Sequence, residues 1–253
     1  MKDNYRLFIG GEWRDAISGK TFRSLNPATG ETNATVAEGG PEDIDEAVKA
    51  ARTAFESGPW AKMSPSERGR LLYRAAQIMW DRADFLAETE SRDNGLPINE
   101  SRMIALPATI DVLEFYAGLA NKVHGETLAT PSDRFNYTLR EPIGVIGAIV
   151  PWNFPLMLTM WKLASALAAG NTVVIKPAEQ TPVSTLELAS IFQEAGVPDG
   201  VINVVPGYGS TAGSALASRQ GGIYWLDKYR ALDHASSEQE FETDITGTRR
   251  KIS

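Results

Sequence analysis

The sequence predicts an α/β fold built on a doubly wound, largely parallel sheet, and three observations carry that prediction. Three apolar, β-branched runs recur in the second half of the chain: "GVIGAIV" (144–150), "NTVVIKP" (171–177) and "GVINVVPG" (200–207). They do not alternate with polar residues, as expected of parallel strands covered by helices on both faces. Between them lie "FPLMLTMWKLASALAAG" (154–170) and "TPVSTLELASIFQEAG" (181–196), each ending in the glycine that commonly closes a helix. A βαβαβ order of this kind gathers ligand-binding groups at the carboxyl ends of the strands.

Upstream, residues 5–38 alternate apolar and polar positions around Gly10-Gly11 and Asn26-Pro27, which predicts a small β-rich opening. "PEDIDEAVKAARTAFESG" follows, with Ile44, Ala47, Val48, Ala51 and Phe55 on one helical face and acids in its first turn, where the helix dipole favours them. The next helix opens at Ser64, Pro65 and Glu67, a capping box with proline at the first helical position. A further helix is expected from about Pro97 to Leu119 on the spacing of Ile104, Ile110, Leu113 and Phe115. In "RFNYTLREP", Phe135, Tyr137 and Leu139 alternate with polar neighbours, predicting a strand with one solvated or interface face.

Composition narrows the function. A chain of 253 residues with 43% hydrophobic content has enough material for a substantial core. Its formal charge of −7 and lack of a dense basic run argue against nucleic acid. The opening "MKDNYRLFIGGEW" carries charges where a signal peptide needs an apolar core, and "GVIGAIVPW" is too short to span a bilayer, so a cytoplasmic chain with no membrane partner is expected. The sequence holds no cysteine, and its histidines are His124 and His234, which leaves little for a metal site or a Ser-His-Asp triad. No metal is expected.

The strand ends supply the candidate site. Asn153 can donate its amide to a developing oxyanion, or simply cap the helix that follows. Lys176 and Glu179 suit ribose hydroxyls, though a pair of solvated loop charges reads the same way. Gly207, Gly209 and Gly213 form G-x-G-x-x-x-G, one residue longer than the dinucleotide fingerprint, and can equally serve a tight strand-to-helix turn. Ser184, an example of a hydroxyl that could stand as an alternative nucleophile, sits at a helix start with no base beside it and reads better as a cap.

Taken together, residues 144–213 resemble the aldehyde dehydrogenase superfamily, and the resemblance extends upstream through "LFIGGEWRDAISGKTFRSLNPATGE", "AFESGPWAKMSPSERGRLL" and "LREPIGV" to cover residues 5 to 218. It implies an incomplete Rossmann-like sheet with three parts. The cofactor-binding domain occupies 1–120 and 144–217, a β-hairpin used for oligomerisation lies at 121–143, and 218–253 form a tail. It implies that Asn153 stabilises the oxyanion, that Lys176 and Glu179 hold the adenosine ribose of NAD (NADP being possible), and that Gly209 and Gly213 form the turn beside the adenine and pyrophosphate. Ile149 and Trp152 match residues along the cofactor cleft. Phe154, Leu158 and Trp161 fall where the family lines its substrate tunnel, or are ordinary core. The family is homo-oligomeric and acts on aldehydes.

The same resemblance exposes a deficit. The family's chemistry needs a thiolate to add to the aldehyde and a glutamate in a segment like "LELGGKS" as general base, and neither is visible here. Reading each codon from Ser218 one base late permits "VDKVAFTGSTNTGR" across Ser218 to Leu232, then "IMRAASKNLKRTLLELGGKS" through Ser253. Both strings resemble the family's next segments. The tail "HASSEQEFETDITGTRRK", without sustained period, is accordingly expected to be a displaced reading frame and largely disordered. The expected function is that of an N-terminal, cofactor-side fragment of an NAD(P)+-dependent aldehyde dehydrogenase, inactive alone. The second reading is a non-catalytic cofactor-binding or oligomerising protein derived from that family.

Overall fold

The computed structural model describes residues 1–219 and the backbone of 223–225. The first half runs β1 (Asn4–Tyr5), β2 (Leu7–Ile9), β3 (Glu12–Arg14), β4 (Thr21–Leu25), β5 (Thr32–Ala37), α1 (Pro41–Glu56), α2 (Pro59–Lys62), α3 (Pro65–Asp81), α4 (Ala83–Asn94) and α5 (Ile98–Glu100). A π-helical turn, Ser101–Ala105, leads into α6 (Leu106–Leu119). Then come β6 (Thr127–Leu128), β7 (Asn136–Tyr137), β8 (Val145–Ile149), α7 (Pro155–Ala168), β9 (Thr172–Lys176), α8 (Val183–Glu194) and β10 (Ile202–Val204). A second π turn, Gly209–Gly213, precedes α9 (Ser214–Ser218) and β11 (Ile223–Trp225).

The main sheet has the order β11-β8-β9-β10-β2-β3. Its first four strands are parallel, as the three apolar runs predict, while β2 lies antiparallel to β10 and β3 antiparallel to β2. The β-rich opening is thus divided, because β2 and β3 extend the main sheet while β1, β5 and β4 form a smaller one. Successive strand residues point to opposite faces. Ile146, Ala148, Val173, Ile175, Ile202 and Val204 join one core with buried residues of α3, α6, α7 and α8. Val145, Val174 and Val205 join the other with Ile44, Ala47 and Ala51 of α1 and Leu216 of α9. Burial on both faces explains the unbroken apolar strand sequences.

The helix expected from 97 to 119 is present but interrupted. Leu106 N donates to the carbonyl of Ser101, five residues back, and Pro107, which has no N–H to give, follows directly. Ile104 precedes Ile110 by six residues, about 240° around a regular helix, and Phe115 sits about 200° around from Leu113, so neither shares the stripe of buried Ile110 and Leu113. Ile104 and Phe115 are accordingly 64% and 63% exposed, not core as expected. The alternating segment at 134–142 yields only the two-residue β7, paired antiparallel with β6, and Phe135, Tyr137 and Leu139 are all exposed. No helix among the described residues is long and apolar enough to cross a membrane. The expectation for the tail falls mostly outside the described residues. Within it, the backbone of Ile223–Trp225 pairs in parallel with Val145–Gly147.

Candidate cofactor site

From β8 the chain steps to β9 and β10 on one side, then returns to place β11 on the other. The strand order therefore reverses at β8, and the crevice beyond the carboxyl end of such a strand is where open α/β sheets bind ligands. The loops that meet there follow β8 (150–154), β9 (177–182) and β10 (205–208).

Lys176 and Glu179 are not a pair of solvated loop charges. Lys176 is the last residue of β9, its side chain is 4% exposed, and its Nζ donates to Glu179 Oε2 at 2.9 Å. Burial alone would raise the Glu179 carboxyl, but the Lys176 hydrogen bond, the Glu179 backbone N–H and the ammonium charge outweigh it and hold the group below its ordinary range. Ile149 is the register partner of Lys176, and Val150 N donates to Lys176 O at 3.0 Å. Lys162, from the next helix, donates to Ile149 O at 3.0 Å.

The glycines separate into different roles. A Cβ on Gly207 would lie 2.5 Å from Gly39 O and 2.9 Å from Ala212 Cβ, so this residue lets two backbones approach and serves packing. A Cβ on Gly213 would meet Lys176 Cδ at 3.7 Å, which puts Gly213 against the lysine, whereas a Cβ on Gly209 would meet nothing within 4 Å. Ile149, Lys176, Glu179 and Gly213 thus form one contiguous cluster, with Gly209 facing open space beside it. The cluster offers an ammonium, a carboxylate able to accept two hydroxyl donors, and uncrowded backbone, a set that fits a ribose joined to a phosphate chain.

Trp152, 59% exposed, and Asn153 lie in the loop after β8. The capping alternative for Asn153 fails, since Phe154 is the N-cap of α7 and no side chain of that residue caps the helix. Phe154 is half-buried and Leu158 packs against the core, while Trp161 is half exposed. Trp161 joins Asp111, Val112, Phe115 and Tyr116 around an open groove of about 650 Å³.

A family model described as the aldehyde dehydrogenase family matches residues 13–222. The chain belongs to the aldehyde dehydrogenase family. It is 51% identical over 216 residues to a rat mitochondrial aldehyde dehydrogenase, a match covering 85% of this chain and 42% of the relative. Aldehyde dehydrogenase 1A1 of Mesocricetus auratus is 52% identical over 214 residues, covering 84% and 43%. Among solved structures, the NAD+ complex of the Bacillus cereus aldehyde dehydrogenase superposes with a TM-score of 0.86 at 47% identity, covering 88% of this chain and 46% of that one. The chain spans less than half the length of these relatives.

Against the loops after β8 and β9 lie three polar residues of α4 that sequence reading missed. Asp93, 2% exposed, accepts from Val183 N at 2.9 Å and from Ser184 N, and Ser24 Oγ also donates to it. Asp93 therefore caps α8 from another helix. Ser184 does not cap it, because its hydroxyl is fully buried without a hydrogen-bond partner. Glu90, one turn earlier and fully buried, accepts from Ser101 Oγ at 3.1 Å and, weakly, from Leu156 N at the start of α7. Burial pushes Glu90 up to about 7 and Asp93 up to about 6. Asn94 Nδ2 donates to the carbonyls of Trp152 and Asn153 at 2.8 and 2.9 Å. The acids fall in "FLAETESRDNG", whose mixed polarity reads as a solvated helix face.

Proposed function

We propose that this chain is the cofactor-binding side of an NAD(P)+-dependent aldehyde dehydrogenase, an oxidoreductase acting on aldehydes. The observation that carries the reading is the Lys176–Glu179 pair beside the end of β8, with its lysine buried, its carboxylate partly open and Gly213 packed against the lysine. Lys176 and Glu179 bind the adenosine ribose, Gly209 and Gly213 leave backbone free beside the pyrophosphate, and Ile149 and Trp152 flank the cleft. The bound nicotinamide supplies the hydride acceptor. Asn153 offers an amide N–H to the oxygen that becomes negative when the aldehyde carbon is attacked. The Glu179 carboxylate would repel a 2′-phosphate, so NAD is favoured over NADP.

These 253 residues contain no cysteine and so supply no thiol for the family's covalent step. On this reading the chain forms no NADH from aldehyde by itself, and aldehyde-dependent NADH production by purified chain would overturn that part. We further place a displaced reading frame at codons 216–219, supported by a family match that stops at residue 222. Sequencing the DNA there decides it. The reading also takes the chain as cytoplasmic and assigns 121–143 to self-association, supported by exposed Phe135, Tyr137 and Leu139. A monomer by light scattering at tens of micromolar would count against the latter.

Calorimetric titration with NAD+ and with AMP tests the central claim. Saturable binding of both, weakened by Glu179→Gln, is expected. No binding of either at several millimolar would remove it.

A further inference from the structure

Asn94 ends α4, and that end is tied down from several directions. Asn33 Nδ2 of β5 donates to Arg92 O at 2.7 Å, Ser91 Oγ to Leu96 O at 2.7 Å, and Gly95 N to Ser91 O at 2.9 Å. Gly95 takes the left-handed conformation, with φ of 87°, that turns the chain away from the helix. Asp93, next in line, is fixed to Ser24 and to the start of α8. The helix end is therefore a rigid platform.

The loop after β8 contrasts with it. Val150 N is tied to Lys176 O, and Phe154 O accepts from Leu158 N at the start of α7. Between those anchors, among the described residues, the bonds from Asn94 Nδ2 to Trp152 O and Asn153 O are the ones that join the loop to another element. A side-chain amide has two N–H groups, and this one nitrogen lies within hydrogen-bond distance of two successive carbonyls. Two adjacent peptide planes held from one nitrogen leave the Asn153 backbone little freedom to rotate.

We propose that Asn94 is a positioning residue, which fixes the peptide planes of Trp152 and Asn153 and thereby sets the direction of the Asn153 amide. The bearing on catalysis rests on the reading of Asn153 as oxyanion donor, but the clamp is a property of the free chain and is tested without cofactor. Aspartate keeps the shape of asparagine yet can only accept, so Asn94→Asp sets a carboxylate against two carbonyls, whereas Asn94→Ala merely deletes the donor.

Nitrogen-15 NMR relaxation on the full chain reads the result. In the unsubstituted protein, backbone order parameters of Trp152 and Asn153 are expected near the rigid value of about 0.85. In Asn94→Ala and Asn94→Asp they are expected to fall below about 0.6, with the aspartate at least as low. The interiors of α7 and β9 should stay rigid in both. Should neither variant fold, the unsubstituted protein decides alone, because the Asn94 side-chain amide protons must then exchange with solvent at least about tenfold more slowly than in a model peptide. The proposal is overturned by fast exchange of those protons, by unchanged order in the variants, or by order lost evenly across the sheet. AMP binding serves as the separating arm. Unaltered AMP affinity in the variants alongside the local loosening supports the clamp, and an absence of AMP binding in every form removes the cofactor reading while leaving the relaxation result to judge Asn94.

Discussion

Lys176 and Glu179 meet at 2.9 Å with side-chain exposures of 4% and 27%, so the lysine is anchored in the sheet and the carboxylate is left half-open to a ligand. A carboxylate already oriented by a buried ammonium loses little freedom when it accepts hydroxyl donors. Hydrogen bonds to a charged group contribute about 1.5–3 kcal/mol. Glu179→Gln should therefore weaken NAD+ binding about tenfold or more and narrow the preference over NADP+, as read by calorimetry. Equal affinity of the two forms would show that the carboxylate does not touch the ribose.

The glycines after β10 allow a sharper contrast. Gly207→Ala forces a methyl to 2.5 Å from Gly39 O, where the neighbour is backbone and cannot step aside. A loss of about 1–3 kcal/mol is expected from such overpacking. Gly209→Ala adds a methyl with nothing within 4 Å and should change stability by less than about 0.5 kcal/mol. If Gly209 borders the cofactor, the alanine variant should keep its melting temperature and lose NAD+ affinity. Comparable losses of stability in both variants would contradict the separation.

What the sequence revealed and what it hid divide along contact distance. The Ser64–Glu67 capping box is legible because both partners lie in one turn, and its reciprocal bonds form as the pattern implies. The parallel strands are legible because burial on both faces writes itself into every residue of β8, β9 and β10. Asn94 and Asp93 act on partners 58 and 90 residues away, and nothing in their neighbours signals it. Ile104 and Phe115 mislead for a different reason, since their spacings of six residues from Ile110 and two from Leu113 fall off the buried face of a 3.6-residue helix. The division of the β-rich opening is likewise set by distant pairing, as Phe8 opposite Val204.

Glu90 gives the fold a pH dependence of definite sign. Its carboxyl is raised from 4.5 to about 7, first by burial and further by the charge of Asp93, so the folded chain holds a proton that the unfolded chain releases. The folded state binds more protons between those values, and stability must fall as pH rises from about 5 to 7. Urea midpoints should therefore be higher at pH near 5.5 than near 8, by an amount on the order of 2 kcal/mol in free energy. Glu90→Gln, neutral at both, should lose most of that difference. A midpoint rising with pH in the unsubstituted chain would mean that the Glu90 carboxyl is not desolvated as the structure places it.

Asp93 links α4 to the loop after β9, because it lies in α4 yet closes the N-terminus of α8, which starts four residues beyond Glu179. Its Oδ2 takes the Val183 N–H at 2.9 Å, the Ser184 N–H also donates to it, and the residue is only 2% exposed. Asp93→Ala would leave those donors unsatisfied and a void beside Ser24, a combined cost of about 3 kcal/mol from a lost cap and buried unpaired N–H groups. Asp93→Asn keeps an acceptor oxygen for one of them and should cost less than half as much. The start of α8 determines where the 177–182 loop ends, so Asp93→Ala should also weaken NAD+ binding, while Asp93→Asn should retain most of it. Urea unfolding and calorimetry on the same pair check both claims, and an alanine variant as stable as the unsubstituted chain would show that α8 is capped by some other group.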